Sequence, residues 1–261
     1  MTRVLLVIPT LGTRPELLRQ SIASIRDQSV AADIAIVSPP SAFISDLANT
    51  PGITWIADPN RGLAAAINQG VNEAARDHAF VSWLGDDDLL TPNSLALTTS
   101  ALDSEPNAVL AYGPCRYIDG RGRDLWTNQA PFWAVPVLAW GPQLVPQPGM
   151  LVRHQAWSAV NGLNETYTMA FDFDLLLRLK RLGRFVRVPQ PVSCFRWHTD
   201  SLTVDDRTTN LLESERAKRS ALSPVLRPWA WTWEPPVRWA TRVAASRVQR
   251  RAQRLESGGP Q

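Results

Sequence analysis

The sequence predicts an α/β fold with a mostly parallel central sheet flanked by helices, followed by a C-terminal helical tail. Three observations carry this. An apolar, β-rich run opens the chain at Arg3 to Ile8, and runs of the same kind recur at Asp33 to Val37, Ile53 to Ala57 and Phe80 to Leu84. Helical patterns separate these runs, which predicts right-handed crossovers between parallel strands. Each run is short, nearly continuous in apolar residues and bounded by turn residues, as expected of strands covered on both faces.

The elements follow in order. The turn-rich stretch Pro9 to Pro15 leads into a helix to about Gln28, with Leu17, Leu18, Ile22 and Ile25 on one face. The second strand ends in Ser38-Pro39-Pro40-Ser41, and Asn60-Arg61-Gly62 is a turn before an alanine-rich helix from Leu63 to Arg76. After Phe80 to Leu84, Thr91 is expected to cap a helix starting at Pro92. Short strands are expected at Ala108 to Gly113 and Cys115 to Ile118, with a hairpin-type turn at Asp119 to Gly122. Residues 128–148 carry five prolines and two tryptophans with little periodicity, and read as a long loop over a site. A strand at Met150 to Val152, a helix from Arg153 to Val160 and a helix from Phe171 to Gly183 follow. The last of these opens with Asp172 and Asp174 and closes on basic residues and glycine, the polarity that suits the helix dipole. Strands at Phe185 to Val188 and Val192 to Trp197 and a helix from Thr208 to Ser220 complete the domain.

Composition bounds the function. At 261 residues, 44% hydrophobic and 20% charged, the chain suits one large globular domain or one domain with a tail. Cys115 and Cys194 lie far apart and form no metal-ligand pattern, so they read as buried thiols of a reducing cytosol. Val4 to Ile8 is too short for a secretory leader, and no stretch approaches the roughly 20 apolar residues of a membrane span. Neither a Gly-x-Gly-x-x-Gly fingerprint nor a Walker A loop occurs.

From Pro224 onward the chain is rich in Pro and Trp. Val237, Ala240, Ala244, Val248, Ala252 and Leu255 then form a stripe among Arg238, Arg242, Arg247, Arg250, Arg251 and Arg254. Such a helix is read either as an interfacial membrane contact or as a solvated helix packed on the domain. The net charge of +3 and the lack of a recognition motif argue against nucleic acid as a partner.

The chemistry starts at Gly85-Asp86-Asp87-Asp88, in the turn at the carboxyl end of a core strand, the edge where α/β sheets bind ligands. Three adjacent carboxylates repel one another unless a cation is present. Hard oxygens in a short turn suit Mn²⁺ or Mg²⁺ shared with substrate phosphates. A solvated loop tip is the other reading. A second acidic pair, Asp172 and Asp174, opens a later helix, where a carboxylate can serve as a general base or simply favour the dipole. A metal diphosphate at one edge and a proton acceptor on another element is what transfer of a sugar from a nucleotide donor requires.

At this point the chain resembles a family-2 glycosyltransferase of the GT-A fold, from about Val4 to Thr203. Val7 to Arg19 resembles the family's opening strand and loop. Asn60 to Asn68 resembles its donor-site turn and helix, and Leu84 to Pro92 its Asp-x-Asp-type metal motif. Asp172 to Arg178 resembles the Glu-Asp-Tyr-Asp-Leu segment that supplies the base. Phe195 to His198, with Ser201 to Thr203, resembles the Tyr-Arg-x-His segment near the donor phosphates. The resemblance implies an inverting, metal-dependent transferase, with residues 1–113 as the nucleotide-sugar half, 114–223 as the acceptor half and 224–261 as the tail.

It implies Asp172 as the base. It implies Pro9, Thr10, Arg14, Asn60, Arg61, Gly62, Asn68 and Asp86 as donor-binding residues. Asp87, Asp88 and His198 are the implied metal ligands, with a structural hydrogen bond as the other reading of His198. The cofactor is Mn²⁺ or Mg²⁺, the donor a nucleotide-sugar, UDP-linked, and the acceptor a glycan or a lipid-linked glycan. A cytoplasmic protein, in peripheral contact with the inner face of the plasma membrane through its tail, fits that acceptor.

The sequence departs from the family at three points. Phe171 stands where the family has Glu, which makes the surroundings of Asp172 more apolar. Gly85 replaces a common Asp. The second strand ends in Ser38-Pro39-Pro40 where the family has an Asp that reads the base, leaving Ser38 or a backbone group for that contact. These departures keep open a non-catalytic, nucleotide-sugar-binding scaffold. A nucleotidyltransferase is a third reading, for which Gly12-Thr13-Arg14 is a poor phosphate loop.

Overall fold

The computed structural model describes residues 4–197, 207–223, 225 and 227–232. Within them β1 (Val4–Pro9), α1 (Pro15–Arg26), β2 (Ala32–Ser38), α2 (Ala42–Ala48), β3 (Ile53–Ala57), α3 (Leu63–Ala74) and β4 (Phe80–Trp83) form the first part of the chain. Then come β5 (Leu89–Leu90), α4 (Ser94–Ser104), β6 (Ala108–Tyr112), β7 (Cys115–Ile118), β8 (Asp124–Asn128), β9 (Leu151–Arg153) and α5 (His154–Ala159). The remainder is α6 (Phe171–Leu179), β10 (Arg184–Arg187), β11 (Ser193–Arg196), α7 (Arg207–Ala221) and a 3-10 turn at Arg227–Thr232.

A seven-stranded sheet runs in the order β10-β6-β9-β4-β1-β2-β3. Its pairs are parallel except at β9, which lies antiparallel between β4 and β6. The strands are apolar on both faces because both faces are covered. Leu5, Val7, Val37, Val81 and Trp83 pack with α3, α5 and α6, while Val4, Leu6, Ile8, Ile36 and Phe80 pack with α1, α2 and α4. Alanines let α3 lie close to the sheet, and at Gly70 a β-carbon would come within 2.6 Å of the Val7 side chain. The expected halves 1–113 and 114–223 share this sheet, since β9 and β10 come from the second half and pair with strands of the first.

Four features differ from the sequence reading. A second sheet, β5-β11-β7-β8, stands beside the first. Helix α2 occupies part of what read as a loop. Ser41 caps it by accepting from Ile44 N at 3.3 Å, and the Ser cap ahead of Phe43, Ile44 and Leu47 is a signal the sequence contained.

Thr91 does not cap a helix. Leu89 and Leu90 pair with β11, Thr91 N bonds Val192 O and Thr91 Oγ1 donates to Pro191 O at 2.6 Å. The helix therefore starts later, at Ser94, behind Asn93 in the left-handed region. The basic stripe expected at 237–255 lies outside the described residues.

Candidate active site

Strands β1 and β4 are parallel neighbours, so the loops leaving their carboxyl ends meet. Thr10 Oγ1 donates to Asp86 Oδ2 at 2.5 Å, and Arg14 Nη1 donates to Asp87 Oδ2 at 2.6 Å. The other guanidinium nitrogen of Arg14 pairs with Asp86. The Arg14 guanidinium thus bridges Asp86 and Asp87, the two carboxylates that would hold a divalent ion. Among the described residues, no group of three or more His, Cys, Asp or Glu side chains is arranged to hold a metal alone.

Gly85 has a steric reason. A β-carbon there would stand 2.9 Å from Asp88 Oδ2 and 3.0 Å from Asp87 Oδ1. The family's Asp at this position does not fit the turn as it folds here.

The three acids do not act alike. Asp86 is buried, and burial pushes its carboxyl above the usual range against the opposing pull of Thr10 and Arg14. Asp88 turns inward, is 4% exposed, and accepts from Arg196 N at 3.0 Å. Burial, with the adjacent Asp87 charge adding to it, pushes the Asp88 carboxyl up as well. One Asp88 oxygen is thus taken up beneath the turn, and Asp88 as a metal ligand beside Asp87 stays an expectation.

Arg196, which the resemblance placed in the segment near the donor phosphates, fastens this turn. It is 3% exposed, its Nε donates to Asp87 O at 3.0 Å, and its other nitrogens reach Asp119 O, Gly120 O and Gln20 Oε1. An arginine inside an apolar strand run was the available signal. His198 lies outside the described residues.

The remaining donor candidates separate. Pro9 ends β1, and Thr10 N bonds Val37 O across the sheet edge. Asn60 (φ 56°) and Gly62 (φ 95°) form the turn into α3, and Arg61 pairs with Glu165 at 3.3 Å. Asn68 is corrected: its amide donates to Leu163 O and Glu165 Oε1 and accepts from Leu163 N. It ties α3 to the loop before α6. Ser38 is also corrected as a base reader, since it is fully buried and its hydroxyl accepts from Trp55 Nε1 at 3.2 Å.

The second acidic region lies beside the first. Phe171 packs on Trp83, the last residue of β4, with ring centroids 6.4 Å apart. Phe171 at the position of the family's Glu is therefore a core contact, and it sets the start of α6 against the strand that leads to the acid turn. Asp172 is half-buried. It accepts from Gln143 Nε2 at 2.8 Å and from Phe173 N at 2.7 Å, and burial pushes its carboxyl above the usual range. Among the described residues no cation pairs with it. Asp174 is structural: it binds Arg178, which also reaches Val160 O and Gly162 O.

The 128–148 loop is pinned at both functional regions, by Gln143 to Asp172 and by Gln147 Nε2 to Trp83 O at 3.0 Å. It leaves Phe132, Trp133 and Trp140 exposed. Both glutamines were missed, because a polar residue in a Pro-rich loop shows its partner only after folding.

A model of the family described as glycosyl transferase family 2 matches residues 5–161. The chain belongs to this family. The match includes the acid turn and stops before α6. Chondroitin synthase of Escherichia coli is 25% identical over 143 residues, 54% of this chain and 20% of that protein. The O-antigen biosynthesis protein RfbC of Myxococcus xanthus is 31% identical over 121 residues, 44% of this chain and 9% of that protein. The chain thus spans a fifth or less of the length of these relatives.

Among solved structures, the mannosyltransferase PcManGT from Pyrobaculum calidifontis, in complex with GDP-Man and Mn²⁺, superposes with a TM-score of 0.66 at 15% identity, covering 99% of this chain and 76% of that one. S. aureus TarS 1–349 in complex with UDP-GlcNAc gives 0.64 at 11% identity, covering 87% and 70%. The fold is that of GT-A glycosyltransferases.

Proposed function

We propose that this chain is a glycosyltransferase that inverts the sugar it transfers, moving it from a nucleoside diphosphate, UDP-linked, to an acceptor hydroxyl, with Asp172 as the base. The observation that carries the reading is the difference in partners. Asp86 and Asp87 face a cation, whereas Asp172, on the neighbouring element, faces a neutral amide and a backbone N–H among the described residues.

Thr10, Arg14 and the turn at Asn60, Arg61 and Gly62 border the nucleotide. Asp87, with Asp86, would hold a divalent ion, which supplies charge neutralisation for the departing diphosphate when bound. Asp172 removes the proton of the acceptor hydroxyl as that oxygen attacks the anomeric carbon opposite the diphosphate. Gln143 holds the carboxylate in place, and burial of the carboxyl limits water beside it. The Mn²⁺ and nucleotide-sugars bound by the structural neighbours support the donor side.

The names of the relatives, a chondroitin synthase and an O-antigen biosynthesis protein, support a glycan acceptor of the cell envelope. Phe132, Trp133 and Trp140 offer aromatic surface for it. No helix among the described residues is long and apolar enough to cross a membrane. A lipid-linked acceptor would be reached with residues 224–261 as the peripheral membrane contact.

Donor turnover tests this. With Mn²⁺, a panel of nucleotide-sugars and a membrane extract as acceptor, release of nucleoside diphosphate is expected, and it is expected to vanish in Asp172→Asn and Asp87→Ala. Binding of donor without turnover on any acceptor would make the chain a scaffold instead.

A further inference from the structure

Helix α6 carries Asp172 but opens on a residue that cannot cap it. The residue at its N-cap is Ala170, whose methyl group accepts no hydrogen bond. Within the first turn Phe173 N donates to Asp172 itself, and the three residues that lead into the helix are held from another element. Glu213, on α7, accepts from Thr168 N and Thr168 Oγ1, both at 2.9 Å, through one carboxylate oxygen. Through the other it accepts from Met169 N at 2.7 Å and Ala170 N at 2.9 Å. Four bonds on one carboxylate hold it below the usual glutamate range, so it stays charged.

The rest of α7 is laid along the same run. The Arg216 guanidinium sits 5.0 Å from the Tyr167 ring, and the Lys218 ammonium 5.7 Å from the Phe173 ring. At the far end Arg181 donates to Ala221 O at 2.6 Å. Start meets start and end meets end, so α7 runs beside α6 in the same direction, with Ala217 buried between them.

We propose that Glu213 is a positioning residue for Asp172: from α7 it holds the amides of residues 168–170, which lead into α6, and so fixes the turn on which the carboxylate rides. Asp172 begins two residues after the last amide that Glu213 holds. Released, that turn frays and carries the carboxylate away from Gln143. This rests on Asp172 being the base. A displacement of about 1 Å at a reacting group costs on the order of a hundredfold in rate, and this one leaves the nucleotide side untouched.

The experiment uses the full 261-residue chain as wild type, Glu213→Ala and Glu213→Gln. Glu213→Ala is expected to lose on the order of ten- to a hundredfold in kcat with nucleotide-sugar affinity unchanged. Glu213→Gln is expected to fall between, because its one oxygen still accepts from part of the set while its amide opposes the other N–H groups. In protein labelled with ¹³C at the aspartate carboxyl carbon, the Asp172 signal, assigned by its loss in Asp172→Asn, should titrate at lower pH in Glu213→Ala than in wild type, because the lost burial outweighs the lost Gln143 bond.

Unchanged kcat with an unchanged Asp172 titration overturns the proposal. So does a loss of donor affinity that accounts for the whole loss of turnover. If the alanine variant does not fold, the glutamine variant supplies both readings. If wild type transfers no sugar, the function proposed above fails, and the Asp172 titration still decides the role of Glu213.

Discussion

The turn at Gly85 to Asp88 and the first turn of α6 both present carboxylates at the same edge of the molecule, yet they are built on opposite principles. The first is charge-balanced: Arg14 lies across Asp86 and Asp87, and Arg196 ties down the backbone of Asp87 and the carboxylate of Asp88. The second is not. Among the described residues Asp172 has a neutral amide and a backbone N–H, and burial is the main influence on its carboxyl. A carboxylate paired with a cation is a poor proton acceptor, and one shielded from water without a cation is a better one. Residue type alone therefore does not divide the labour between the two regions. The partners do.

The largest break in that comparison is Asp172→Asn. Removing a general base costs on the order of 10² to 10⁴ in kcat, and donor affinity, measured by titration calorimetry with Mn²⁺, is expected to stay at the wild-type value. Asp87→Ala is expected to do the reverse, weakening donor binding and flattening the dependence of turnover on Mn²⁺ concentration.

Replacing Arg196 with Met strikes the fastening of the first turn. It leaves three carbonyls and Gln20 Oε1 without their donor and takes the positive charge away from the buried Asp88, a loss of about 3–5 kcal/mol in denaturant unfolding. Gln143→Ala is milder. It removes a hydrogen bond that favours the ionised form of Asp172, so the acidic limb of the pH–rate profile should move to higher pH.

The smallest effect is on stability. The folded-state pKa of Asp172 lies above its unfolded value, so the ionised group opposes folding as pH rises above the unfolded pKa, and fully so above the folded one. Asp172→Asn should therefore raise Tm at pH 8 and leave it unchanged near pH 3. A lower Tm at pH 8 would mean that the carboxylate is stabilised where it sits, and the contrast between the two regions would disappear.

Much of the first region was legible in the sequence, because it is local. A buried strand ending in Gly85 and three acids, and the loop from Pro9 to Pro15 before a helix, are each one continuous stretch. The parallel alternation then brings their ends together. What stayed hidden depends on partners far along the chain. Asp88 reads as a surface acid until Arg196, 108 residues away, takes its oxygen. Asn68 reads as a donor-site residue until the backbone of Leu163, 95 residues away, closes on its amide. Leu89 and Leu90 form a strand only because β11 lies beside them, and that pairing displaced the cap expected at Thr91. The position of Asp172 was readable from the polarity of its helix, whereas the supports at Gln143 and Glu213 were not.

The most direct measurement of the division of labour is made on one preparation of Asp172→Asn with donor and Mn²⁺: affinity for the nucleotide-sugar alongside single-turnover transfer to acceptor. Wild-type affinity with transfer reduced on the order of a hundredfold or more is the predicted result. Transfer within a few-fold of wild type, or donor affinity lost together with transfer, would contradict it.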